Sequence, residues 1–126
     1  MARPTEGIYA LQATLLKTLA SPRRLEIVHY LGEAGPVEVR KLAEHFGTTQ
    51  PAISQHLAAL RGVGIVDAVR DGREVRYQLA DPEIVGACGL MRQVLIRRIA
   101  RLGDMAASYA NQESEPAAAV AAEAIH

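Results

Sequence analysis

The stretch GTTQPAISQHLAALRGVG, residues 47–64, decides how the rest of the chain is read. Gly47 opens it. Thr48 and Thr49 follow with side-chain oxygens able to cap a helix, and Pro51 stands where a first helical turn tolerates a missing N–H. Ile53, Leu57 and Leu60 then recur at helical spacing and form one narrow apolar face, with Gln50, Ser54, Gln55 and Ala58 on or near the other side. No acidic residue occurs from Thr48 to Val66. An acid-free outer face of small and amide side chains suits entry into a DNA major groove, where Gln and Ser reach base edges. The same pattern suits an ordinary amphipathic surface helix, so the neighbouring segments have to decide.

Immediately upstream, residues 37–46 read as a short helix with Val39, Leu42 and Phe46 inward and Arg40, Lys41 and Glu44 outward. Joined to the next helix by Gly47, it makes a helix-turn-helix in which the first helix braces the second. Further back, Ser21-Pro22 with Glu26 nearby opens a helix running to about Gly32, with Leu25, Val28 and Leu31 facing inward; Gly35-Pro36 ends it. Ile8, Leu11, Leu15 and Leu19 mark a first amphipathic helix across residues 8–20.

Downstream of Ile65 the period falls to two. Val75, Tyr77 and Leu79 alternate with Arg76 and Gln78, and Asp71-Gly72 between the two runs is a hairpin turn signal. Arg70, Arg73 and Arg76 therefore lie on or beside a protruding ribbon, where guanidinium groups suit phosphates or a narrow minor groove. A solvated hairpin with salt bridges to Asp67, Asp71 and Glu74 accounts for any one of them nearly as well. Asp81-Pro82 starts a last helix extending to about Ala110, striped by Ile84, Cys88, Met91, Leu95, Ile99, Leu102 and Ala106. So long a stripe exceeds what one small core can cover, and a two-fold homodimer built from the first and last helices is the expected solution.

The chain has 126 residues and a formal net charge of zero, which bounds it to one domain's worth and gives no global electrostatic pointer to nucleic acid or membrane. Residues 111–126 hold Glu113, Glu115 and Glu123 and no Lys or Arg, so the rest of the chain is mildly basic. The expected division is a folded region at 1–110 and an Ala-rich flexible tail at 111–126. Cys88 is the single cysteine, so there is no intrachain disulfide framework. With no leader-like apolar core and no apolar run long enough to span a bilayer, a cytoplasmic location without membrane contact is expected.

Helix, helix, helix-turn-helix, two-stranded wing and terminal helix, in this order, resemble the ArsR/SmtB family of bacterial winged-helix repressors. The resemblance covers about residues 16–102 and rests on LKTLASPRRLEIVHYL (16–31), PAISQHLAALRGVGIV (51–66) and DGREVRYQL (71–79). It implies a mainly α fold with a small β-hairpin wing and dimerisation through the first and last helices. It also implies a homodimeric repressor that binds a double-stranded DNA operator and leaves it on a signal. Carried onto this chain, the base-reading positions are Thr49, Gln50, Pro51, Ser54 and Gln55, with Arg73 at the wing tip. Thr48 departs from the aliphatic residue common after the turn glycine. The family position of His56 is structural, and it is read as a packed, hydrogen-bonded histidine rather than a metal ligand.

The signal is harder to place. Family members that sense soft metals carry paired thiolates on the third helix, whereas Pro36-Val37-Glu38-Val39-Arg40-Lys41 has no sulfur. Of the family's zinc site on the last helix Asp81 is retained, but Glu83, Val94 and Arg97 occupy the other positions and the site is expected to be absent. No cofactor or metal is predicted. Cys88 is a candidate sensing residue through thiol modification, or a small buried hydrophobe. A protein-interaction module on the same scaffold is the alternative function, supported by the neutral net charge. No motif of phosphate-binding loops, metalloproteases or nucleophile elbows argues for an enzyme.

Overall fold

The computed structural model describes residues 4–103. Helix α1 (Pro4–Leu19) and helix α2 (Pro22–Ala34) are followed by a short strand β1 (Val37–Glu38), then α3 (Val39–Phe46) and α4 (Gln50–Gly62). Strands β2 (Val66–Asp71) and β3 (Glu74–Leu79) form the hairpin, and α5 (Glu83–Ala100) comes last. By internal contacts the chain falls into two units, the first ending at Gly86 and the second beginning at Ala87, so α5 contributes to both.

Local chemistry sets the boundaries in the first unit. Ser21 caps α2 by accepting from the backbone N–H of Arg24 at 3.4 Å, with Pro22 in the first turn. Thr49 caps α4 in the same way, accepting from the N–H of Ala52 at 3.3 Å. Between α3 and α4, Gly47 takes a left-handed conformation (φ 63°, ψ 38°) that a side chain would strain. Gly47 N–H donates to the Glu44 carbonyl and Thr48 N–H to the Ala43 carbonyl, which closes α3 and turns the chain.

The core is apolar throughout, with no polar or charged residue buried among those described. It joins Leu19 of α1, Ile27, Val28 and Leu31 of α2, Val37 of β1, Leu42 and Ala43 of α3, Ile53, Leu57 and Leu60 of α4, and Ile65, Val66 and Leu79 around the hairpin. The sheet is antiparallel in the order β1-β3-β2, with Val37 opposite Tyr77 and Asp71 opposite Glu74. A Cβ on Gly32 would stand 2.6 Å from the Val85 side chain, so the absence of a side chain there lets α2 and the start of α5 approach closely.

Four expectations change. Leu25 is 41% exposed while Ile27 is completely buried, so the inward stripe of α2 is Ile27, Val28 and Leu31. Val37 and Glu38 belong to β1 rather than α3, because they pair with β3; Val39 and Phe46 are half-buried. The hairpin turn is Gly72-Arg73, since Asp71 still pairs with Glu74. Helix α5 ends at Ala100, followed by a turn over residues 101–103, rather than continuing unbroken toward Ala110. Ala106 and the tail expected at 111–126 lie outside the described residues.

In the second unit, α5 buries none of its residues. Leu90, Met91, Val94 and Ile96 are exposed along it, as is Leu102 just beyond, and Cys88 is half-buried with a free thiol. On α1, Ile8, Tyr9, Leu11 and Leu16 are likewise exposed.

Candidate nucleic-acid interface

Helix α4 divides cleanly around its axis. Ile53, Leu57 and Leu60 have 0%, 1% and 0% of their surface exposed, which fixes the helix to the body through α1, α2, α3 and β2. Gln50, Pro51, Ser54 and Gln55 are all exposed. Four of the five residues assigned as base readers thus share one outward surface at the N-terminal half of the helix. The fifth, Thr49, has its hydroxyl oxygen committed as the cap, which leaves the hydroxyl hydrogen to donate outward.

The wing arginines do not form one row. Residues paired across antiparallel strands share a face, and neighbours along a strand alternate. Arg70 is paired with Val75 and so shares the face of Ala68, Tyr77, Val66 and Leu79. Arg76 is paired with Val69 on one side and Glu38 on the other, on the opposite face. That face also carries Glu74, Asp67 and Asp71, and the Arg76 Nη2 donates to Glu74 Oε2 at 3.1 Å. Arg70 is exposed and Arg73 projects from the turn itself; among the described residues neither has a salt bridge within 4.0 Å. Of the ion pairs expected with Asp67, Asp71 and Glu74, only Arg76 with Glu74 is made among the described residues.

Inside the site lies a link that sequence reading missed. Arg24 of α2 donates from Nε to Nδ1 of His56 on α4 at 3.2 Å, and from Nη1 to the Thr18 carbonyl at the end of α1 at 3.1 Å. His56 is half-buried beside Gln55, and its pKa lies below 6.5, held down first by burial and then by the charges of Arg24 and Arg23. The signal was present in the sequence: Arg24 heads the stripe Ile27, Val28, Leu31 at steps of three, one and three, where a cation needs a partner. Next to it, the Arg23 guanidinium sits 4.9 Å over the ring of Phe46.

The sensing candidates are separate from this surface along the chain. Asp81 uses its carboxylate to cap the start of α5, with Oδ1 accepting from the Glu83 N–H at 3.0 Å. Among the described residues no three His, Cys, Asp or Glu side chains are grouped so as to hold a metal ion. No helix among them is long and apolar enough to cross a membrane.

Comparison with known proteins gives a consistent result. A family model described as bacterial regulatory protein, arsR family, matches residues 21–68. The uncharacterized HTH-type transcriptional regulator Rv0081 of Mycobacterium tuberculosis is 36% identical over 107 residues, covering 82% of this chain and 94% of that protein. Its crystal structure superposes with a TM-score of 0.68 over 79% of this chain and 97% of the other, at 35% identity. The HTH-type transcriptional regulator CmtR of M. tuberculosis is 42% identical over 84 residues, 67% of this chain and 70% of its own length. A homodimeric winged helix-turn-helix DNA-binding domain from Mycobacterium bovis has a TM-score of 0.67 at 28% identity, over 75% of this chain and 86% of that domain.

Proposed function

This chain belongs to the arsR family of bacterial regulatory proteins and is a DNA-binding transcriptional regulator, and from that premise we propose which of its residues meet DNA, in what assembly, and what does not trigger release. Helix α4 enters the major groove. Gln50, Ser54 and Gln55 read base edges, Thr49 and Pro51 flank them at the helix start, and the wing contacts the backbone. The observation that carries this reading is the division of α4, with three completely buried anchors behind four exposed, acid-free positions. On the wing, Arg73 and Arg70 are the phosphate-facing groups, because the guanidinium of Arg76 is already engaged by Glu74.

The functional unit is a homodimer joined through α1 and α5, whose exposed apolar residues would otherwise face water. It acts as a repressor in the cytoplasm, without catalysis and without a resident cofactor. Release does not use a thiolate pair at 36–41, which holds no sulfur, or the family's four-ligand zinc site on the last helix, where Val94 and Arg97 cannot ligate. Cys88 is the remaining thiol, and Cys88→Ser abolishes any response of the DNA complex to oxidants or sulfide species if modification of that thiol is the signal.

The deciding experiment titrates a duplex from the protein's own promoter region against random duplex at matched salt. Specific binding appears as tighter affinity for the promoter duplex, with a log–log salt slope of about −0.9 for each phosphate contact. Equal affinity for both duplexes overturns the reading.

A further inference from the structure

One guanidinium spans three helices. From α2, Arg24 reaches the last turn of α1 through the Thr18 carbonyl and the middle of α4 through His56. A planar fork with several fixed donors can make both bonds at once, which a point-charge ammonium does poorly. The bond to His56 requires a specific protonation state. With the proton on Nε2, Nδ1 carries a lone pair and accepts from Arg24; with both nitrogens protonated, two N–H groups and two positive charges face each other.

We propose that Arg24 and His56 are positioning residues for DNA recognition, forming a proton-sensitive clamp that holds α4 for base reading while His56 is neutral and loosens it when His56 is protonated. The proposal rests on the reading of α4 as the groove-entering helix. His56 directly follows Gln55 and lies within one turn of Ser54, so the clamp acts on the turn that presents both readers. The charges that act on the ring are Arg24 and Arg23, both on α2. Helix α1 contributes the Thr18 carbonyl, bound to Arg24, while α3 and β2 also pack on α4 and contribute no charge that acts on the ring. Arg23 is itself held between Glu26, at 3.7 Å, and the ring of Phe46.

Burial and the two guanidinium groups push the His56 pKa below its ordinary value of 6.5. The unfolded or released ring therefore takes up a proton more readily than the clamped one. The clamp's contribution is complete above the unfolded value, and is lost as pH falls from there through the depressed folded value.

The test uses the full chain at constant salt and compares promoter duplex with random duplex from about pH 8 down to about pH 5.5, the range a histidine spans. The promoter preference of the unaltered protein is expected to fall by about tenfold across this range, the scale of one lost charge-assisted hydrogen bond. His56→Ala should show the preference lowered by about tenfold already at about pH 8, with no further fall toward about pH 5.5, where it matches the unaltered protein. His56→Asn places an amide oxygen near the Nδ1 position and does not titrate, so it should restore most of the preference and hold it flat with pH. Thermal unfolding of each variant checks that it is folded; should His56→Asn not fold, Arg24→Lys gives the same reading from the other partner, as a lowered preference with a shallower pH profile.

A parallel decline in His56→Asn would overturn the clamp, since the pH effect would then not come from His56. A flat profile in the unaltered protein would also overturn it. Loss of promoter preference at about pH 8 in the unaltered protein is a different failure, since it removes the groove reading itself and the clamp with it.

Discussion

Helices α4 and α5 carry the same kind of sequence signal and end in opposite conditions. Both have apolar residues at steps of three or four. In α4, 13 residues long, Ile53, Leu57 and Leu60 are completely buried. In α5, 18 residues long, nothing is buried: Ile84, Cys88, Leu95 and Ile99 of the expected stripe are half-buried, Met91 is exposed, and Leu90, Val94 and Ile96 face outward beside the stripe. Periodicity reports that a helix face seeks cover, not where the cover comes from. For α4 it comes from α1, α2, α3 and β2 of the same chain; for α5, on the proposed dimer, it comes from a second copy.

Substitutions that break this contrast are expected to differ in kind as well as size. Leu57→Ala should have the largest effect, destabilising the fold by about 2–5 kcal/mol in a denaturant titration, because it opens a cavity in a fully packed site. A loss indistinguishable from that of an exposed leucine would mean that α4 is not anchored as described. Val94→Asp should leave the helix content of the chain intact while raising the dimer dissociation constant, by about 2 kcal/mol or roughly thirtyfold if Val94 is central to the interface. Sedimentation measures this, and an unchanged dimer would show that the exposed apolar surface of α5 around Val94 is not the dimer interface.

The outward side of α4 gives smaller and more selective effects. Gln55→Ala should cost about 1–3 kcal/mol of discrimination between promoter and random duplex with little loss of binding to the latter. Arg73→Ala should weaken both duplexes about equally and reduce the magnitude of the salt slope by about 1. Arg76→Ala should have the smallest effect, since its guanidinium already serves Glu74. If Arg76→Ala and Arg73→Ala change the salt slope alike, the assignment of the two ribbon faces is wrong.

What was legible in the sequence was local. The cap at Thr49, the turn at Gly47 and the stripe of α4 are each set by residues within a few positions of one another. The α2 stripe was misread at one end, because Leu25 and Ile27 are both apolar and the spacing of Leu25, Val28 and Leu31 is as helical as that of the buried set. Strand β1 was invisible for a different reason. Two residues have no periodicity of their own, and Val37-Glu38 becomes a strand only because Tyr77 and Arg76 lie opposite. The three wing arginines were rightly placed on the ribbon, but their division between faces follows from register, which the sequence does not state. The bond from Arg24 to His56 joins residues 32 apart; that His56 is hydrogen-bonded was expected, but its partner was open to inference only from the cation at the head of an apolar stripe.

The pairing of β1 with β3 has a mechanical consequence. Clamped between β1 and β2 at the Val37 and Tyr77 end, β3 makes the wing a cantilever whose root is continuous with the first residue of α3 and whose free end is the Gly72-Arg73 turn. A load applied at Arg73 is therefore borne at the entrance to the helix-turn-helix rather than dissipated in a loop. Amide exchange should grade along the beam accordingly, fastest at the turn and slowest where three strands lie abreast.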